Sequence, residues 1–330
     1  TDRMIDEALI ARFRADCALD EDYGPYLGVA VSGGPDSLAL MLLAHAAMPG
    51  KVRAATVDHG LRPESADEAA FVARVCADLG IPHAILPVRV EAGNTQAQAR
   101  NARYEALGTH FASERVLTFA TAHHADDQAE TLLMRLNRSS GLAGLAGVRP
   151  WSIFFPEGTV AEMLLLRPLL GWRREELGAV VHSAGLSPVE DPSNTDDAYD
   201  RARIRKAIAD ADWLDPLAMS QSARYLAEAE EVVERAVADV LQRCCTWADG
   251  GCYFQWGHPR LVEIGVVTHI LDRLGARDFR KSEVARMVDR LRAKENASLG
   301  GVLGKRMMHR ATETLSRDVM RFEPEPPRNS

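Results

Sequence analysis

The first two hundred residues alternate short apolar runs with longer stretches of helical periodicity. Segments 26–32 (YLGVAVS), 52–58 (VRAATVD), 83–90 (HAILPVRV) and 115–123 (RVLTFATAH) read as strands rich in Val, Ala and Leu. Each is followed by a helical segment: 36–47 (DSLALMLLAHAA), 65–80 (SADEAAFVARVCADLG, ended by Gly80), 95–114 and 125–138 (ADDQAETLLMRLNR). A fifth strand is read at 164–170 (LLLRPLL). Strands that are apolar throughout and alternate with helices predict a doubly wound, mainly parallel five-stranded α/β sheet covered on both faces. Beyond residue 215 the pattern changes. Segment 216–243 reads as one long amphipathic helix, 250–259 (GGCYFQWGHP) as a turn or hairpin, and 261–275 and 281–293 as two further helices. The chain therefore divides into a larger domain over 1–212 and a smaller, mostly helical one over 213–330. The proline-rich ending 323–330 (EPEPPRNS) is expected to be disordered.

Composition narrows this little. With 330 residues, 46% hydrophobic and 26% charged, the chain is long enough for two cores. No apolar run approaches a membrane span, and no signal-peptide pattern is present. The five cysteines form no CxxC pair and no metal-ligand spacing, so reduced thiols in the cytoplasm are expected. A net charge of −8 argues mildly against a coat of nucleic acid, yet RNA binding needs only one basic face.

In a parallel sheet, ligands sit at the carboxyl ends of strands. Three polar motifs fall there: SGGPDS (Ser32, Gly33, Gly34, Pro35, Asp36, Ser37), VDHGLR (with Asp58, His59 and Arg62) and TAHHADD. In the first, two glycines let the backbone approach a ligand. Pro35 suits the first helical position, and a helix N-terminus attracts phosphate. The lysine of a Walker A loop is missing; the acid Asp36 points instead to Mg²⁺ bridging carboxylate and phosphate. In the third motif His123, Asp127 and Glu130 are spaced i, i+4, i+7 and fall in one helical stripe, with Asp126 to its side. Such a stripe binds a cation or deprotonates an amine. Arg100 and Arg103 share a helical face, as do Arg201 and Arg205. Residues 280–294 carry six basic and two acidic side chains, so Arg280, Lys281 and Arg290 are candidate phosphate contacts.

SGGPDS resembles the SGGxDS pyrophosphate loop of the N-type ATP pyrophosphatases. VDHGLRPES, QARNARYEAL, TAHHADDQAETLLMRLNR, LLLRPLLGW and VEDPSNTDDAYDRARIR are similar, in that order, to segments of the tRNA(Ile)-lysidine synthases. The ordered set covers about the first 210 residues in pieces. The resemblance implies an adenine nucleotide alpha hydrolase-like fold and ATP with Mg²⁺ at the glycine turn. ATP would adenylate the wobble cytidine of tRNA(Ile) with a CAU anticodon, and free L-lysine would then displace AMP. It implies that Asp58, His59 and Arg62 flank the nucleotide. Asp127 and Glu130 would lie at the lysine-binding and catalytic site, with Asp36, Arg100 and His123 in the same catalytic set. Arg201, Arg205, Arg280, Lys281 and Arg290 would contact tRNA. A homodimer is left open. The sequence departs from the family pattern at Ser139–Ser140, where Gly-Ser is common, and a single accessory domain is expected after the first. Three rivals remain: a base thiolase on the same scaffold, a metal-dependent phosphoesterase using the His and Asp pairs, and a noncatalytic RNA-binding module.

Overall fold

The computed structural model describes residues 5–17, 25–60, 64–88, 96–188, 200–310 and 316–325. By proximity of its Cα atoms the chain separates into two compact units, Thr1–Ala227 and Glu228–Ser330.

In the first unit the elements run α1 (Glu7–Cys17), β1 (Leu27–Ala30), α2 (Pro35–Ala47), β2 (Val52–Asp58), α3 (Glu64–Asp78), β3 (His83–Pro87), α4 (Gln96–Ser113) and β4 (Thr118–Ala120). They continue through α5 (Ala125–Asn137), α6 (Leu142–Leu145), β5 (Trp151–Phe154), β6 (Met163–Leu166), α7 (Arg174–Ser183) and α8 (Asp200–Ala209). The sheet order is β3-β2-β1-β4-β6-β5, parallel except for β5. The doubly wound class is as the periodicity predicts, but there are six strands, not five. The unread strand, WSIF, is short and lies at the sheet edge with alternate residues exposed. It pairs antiparallel with β6, which a continuous apolar run does not signal.

Helices cover both faces. α1, α2, α3 and α7 bury Phe13, Leu38, Val72 and Leu177 with Leu27 and Val29 of β1. On the other face Leu107 and Phe111 of α4 pack with Phe119, Met163 and Leu165. Each such ring or branched chain removed from water contributes about 1.5–3 kcal/mol. Gly28 exists for this packing: a Cβ there would stand 2.9 Å from the Phe111 ring and from Phe119 Cβ. Strand order reverses between β1 and β4, and the clefts beside such a reversal are where ligands enter.

The second unit takes in most of α9 (Pro216–Cys244), then β7 (Cys245–Ala248), β8 (Gly251–Phe254), α10 (Arg260–Arg273), α11 (Lys281–Arg292), β9 (Ala297–Leu299), β10 (Val302–Arg310) and β11 (Ser316–Pro324). It is not mostly helical: a five-stranded antiparallel sheet, β7-β8-β11-β10-β9, carries Cys252, Phe254, Met320 and Phe322 into a core shared with α10 and α11. Charged residues dense along β10 and β11 masked their alternation in the sequence. β11 also runs into the expected disordered ending as far as Pro324, and 326–330 lie outside the described residues. No helix among the described residues is long and apolar enough to cross a membrane.

Candidate active site

After β1 the chain turns through Ser32, Gly33 and Gly34 into α2. Gly33 has φ +90, a region that strains any residue with a Cβ. The turn is fastened by Ser37: its Oγ accepts the Ser32 N–H at 3.1 Å and donates to the Gly34 carbonyl at 3.0 Å. Gly34 is the N-cap, has no side chain to cap the helix, and Pro35 follows. The first N–H groups of α2 and the positive end of its dipole are thus left for an oxyanion. Asp36, in the first turn, has a buried Oδ1 without a hydrogen-bond partner.

The second half of the site starts α5. His124 is its N-cap, and its N–H donates to Asp127 Oδ2 at 3.2 Å. The His124 ring is fully buried among three carboxylates. Nε2 stands 3.4 Å from Asp36 Oδ2 and 3.5 Å from Asp127 Oδ2, and Nδ1 stands 3.4 Å from Asp126 Oδ2. Burial alone would lower its pKa, but its contacts with Asp126 and Asp36 and the charge of Asp127 outweigh that and raise it to about 9. His124 is therefore an imidazolium at neutral pH, and it ties the glycine turn to the acidic stripe. Asp126 is anchored in turn by the Arg174 N–H at 2.8 Å and Arg173 Nε at 3.3 Å. Burial opposes its ionisation, yet the contacts with His124 and the Arg174 N–H hold it well below the ordinary carboxylate range.

His123 is the opposite case. Its Nδ1 is 3.0 Å from Thr121 Oγ1 and its Nε2 3.2 Å from Arg100 Nη2. A guanidinium only donates, so Nε2 accepts and Nδ1 carries the proton toward Thr121. Burial pushes its pKa down to about 3. Asp127 opposes this, and the guanidinium groups of Arg100, Arg167 and Arg201 reinforce it. Two adjacent histidines thus hold opposite charge states.

Glu130 is 1% exposed and bears two arginines, Arg201 Nε at 2.6 Å and Arg205 Nε at 2.7 Å. Arg201 Nη2 also reaches Asp127 Oδ1 at 2.7 Å. Burial works against the charge on Asp127, but His124 and Arg201 keep its pKa low. Arg201 and Arg205 share a helical face, and on that face they pair with Glu130 and Asp127.

Asp58, closing β2, accepts the Ser65 hydroxyl at 2.7 Å and the Gly60 N–H at 2.9 Å, which hold its pKa low. His59 Nε2 accepts from Arg103 Nε at 3.3 Å, and burial followed by that guanidinium lowers its pKa. Arg62 lies outside the described residues, as does 191–199 of the DPSNTDD motif. In the second unit Arg280 and Lys281 are exposed at the start of α11, whereas Arg290 pairs with Glu295 at 3.2 Å. Of the other basic residues there, Arg306 is taken up by Asp318 and by the Trp256 ring at 4.0 Å.

The structure thus gathers Asp36, Arg100, His123, Asp127, Glu130, Arg201 and Arg205 around the ends of β1 and β4. The sequence reading missed His124 as the hub and Arg167 near His123. The signal for His124 was its place immediately before a helix whose first turn carries two acids.

Comparison with known proteins fits this geometry. Residues 10–211 match the family model described as the PP-loop domain. The tRNA(Ile)-lysidine synthase of Novosphingobium aromaticivorans is 45% identical over 89% of this chain and 90% of its own length. That of Ruegeria pomeroyi is 41% identical over 88% of this chain and 73% of its own. Among solved structures, a U34-tRNA thiolase from Methanococcus maripaludis shares the fold, with a TM-score of 0.56 at 16% identity over 69% of this chain and 78% of its own. A PP-loop match over most of the first unit and this level of identity across both units place the chain in the tRNA(Ile)-lysidine synthase family.

Proposed function

We propose that this protein ligates free L-lysine to C2 of the wobble cytidine in tRNA(Ile) with a CAU anticodon. ATP is consumed in two steps: adenylation of the C2 oxygen with release of pyrophosphate, then attack by the lysine ε-amine with release of AMP. The observation that carries this reading is the 3.4 Å contact between Asp36 and His124, which joins a pyrophosphate turn to an amine-binding stripe in one site.

The residues present suit each task. The turn of Ser32–Ser37 offers backbone N–H groups to the β- and γ-phosphates. Mg²⁺ fits beside it, because the buried, unpartnered Oδ1 of Asp36 is a hard oxygen next to the phosphate position. Once bound, that ion would offset charge developing on the pyrophosphate. Lysine's ε-amine has a pKa of about 10.4 in water, so it arrives as an ammonium. Asp127 is an ionised acceptor for it. Asp127 is also the nearest ionised group for the proton, which becomes acidic as the nitrogen attacks carbon, whereas the adjacent neutral His123, its Nε2 engaged by Arg100, shapes the site. Glu130 holds Arg201 and Arg205 and so fixes the position of Asp127. Exposed Arg280 and Lys281 of the second unit are offered as phosphate contacts to tRNA, and the cytoplasm is the proposed compartment.

The rivals fare worse on particulars. None of the five cysteines lies among the site residues: Cys17 and Cys76 are buried in the first core and the rest belong to the second unit, which disfavours sulfur transfer. Among the described residues no group of three or more His, Cys, Asp or Glu side chains is set to hold a metal ion, which disfavours a transition-metal phosphoesterase. The test is tRNA-dependent release of pyrophosphate from ATP before lysine is added. Release is expected with the wild type and at least about 100-fold slower release with Asp36→Ala. No release from the wild type would overturn the adenylation reading, and an Asp36→Ala protein adenylating at the normal rate would remove Asp36 from the mechanism.

A further inference from the structure

The mechanism leaves one buried cation unused. Arg167 follows β6, is only 9% exposed, and cannot shed its proton. Its Nη1 donates to the Arg149 carbonyl at 2.9 Å and to Ser152 Oγ at 3.3 Å, and its Nε has no partner. The Tyr104 hydroxyl lies against it, and among the described residues no carboxylate does. A second guanidinium, Arg100, crowds the same flank, donating to Tyr104 Oη at 3.0 Å and to His123. Burying a guanidinium without an anion is costly, and placing a second beside it costs more. Proteins keep such an arrangement where an oxyanion binds.

The position of the pair says which anion. Along the sheet, β1, β4 and β6 are neighbours in that order. The glycine turn with Asp36 follows β1, His123 and the acids follow β4, and Arg167 follows β6. Arg167 is thus on the far side of His123 from the pyrophosphate turn. Along this row come first the carboxylates of α2 and α5 with the cations that pair them, then a neutral imidazole, then two guanidinium groups, of which Arg167 has no carboxylate against it among the described residues. An amino acid with a cationic tail matches that order, tail ammonium on Asp127 and α-carboxylate beyond His123. Building on the reading given above, we propose that Arg167, steered by the Arg149 carbonyl and Ser152, binds the α-carboxylate of the lysine substrate and makes the site select the amino acid over simple amines.

The experiment measures steady-state ligation and equilibrium binding with L-lysine and with 1,5-diaminopentane, the same chain lacking the carboxylate. The wild type should bind and use lysine far better than diaminopentane. Arg167→Gln should raise the KM for lysine about 10- to 100-fold, leave the KM for ATP and tRNA within about twofold, and bring the two amines close to parity. Arg167→Lys, which keeps the charge but not the fork, should recover part of the preference. An unchanged lysine KM in folded Arg167→Gln would overturn the proposal. So would a rise confined to the KM for tRNA or ATP, which would assign Arg167 to a backbone phosphate or to the nucleotide. If neither variant folds, wild-type calorimetry decides alone: diaminopentane binding as tightly as lysine refutes the carboxylate contact. A wild type that ligates neither amine would instead remove the reading of the site as a lysine ligase.

Discussion

At the scale of single residues the site turns on two adjacent histidines in opposite charge states. His124, raised to about 9 against an ordinary 6.5, binds its proton more tightly folded than unfolded. Its stabilising contribution is whole below pH 6.5 and is lost as pH rises through about 9, a span worth roughly 3 kcal/mol. Thermal melts of the first unit should therefore fall over that window. His124→Gln should flatten the fall and, by leaving three carboxylates without their cation, cost about 3–5 kcal/mol. A melting temperature that stays level from pH 6.5 to 9 in the wild type would show that the ring is not charged. Gly33→Ala should strain the turn, where φ is +90, and raise the KM for ATP while leaving lysine binding to the free enzyme unchanged, as isothermal titration would record. Some of this was legible in the sequence. Gly33, Gly34 and Asp36 carry their chemistry in spacing alone. His124 and Arg167 do not, because their roles depend on partners far along the chain: Asp36 lies 88 positions before His124.

At the scale of elements, α5 and α8 form a clamp. Glu130 on α5, almost without solvent, takes Arg201 and Arg205 from α8. Removing one partner from a buried pair strands the other charge. Glu130→Gln should thus release α8, destabilise the unit by about 3 kcal/mol, and lower lysine ligation more than adenylation. Separate assays of pyrophosphate release and lysine transfer would expose that split; equal loss in both would mean a general folding defect. The sequence marked Arg201 and Arg205 as a shared face but could not say that Glu130 and Asp127 meet it. Strand β5 was missed for a different physical reason. Edge strands exposed on one side lack the continuous apolar run that announced β1, β2 and β4. In the second unit the helices α9 to α11 were legible from period, while β10 and β11 were hidden by the charges on them.

At the scale of the molecule, the proposed chemistry lies in the first unit, and a tRNA-contacting surface is proposed for the second. If Arg280 and Lys281 meet tRNA phosphates, replacing each by Glu should raise the KM for tRNA while those for ATP and lysine hold. Each lost contact should also shallow the salt dependence of binding by about one unit of log–log slope. A slope unchanged in both variants would remove α11 from the interface. The account as a whole rests on an amine reaching an activated base in one tRNA only. The most direct measurement is incorporation of radiolabelled lysine, with ATP, into tRNA(Ile) bearing the CAU anticodon, beside methionine tRNA bearing the same anticodon. Label in the isoleucine tRNA alone is the predicted result. No label in either would contradict lysine ligation, and equal label in both would contradict the specificity.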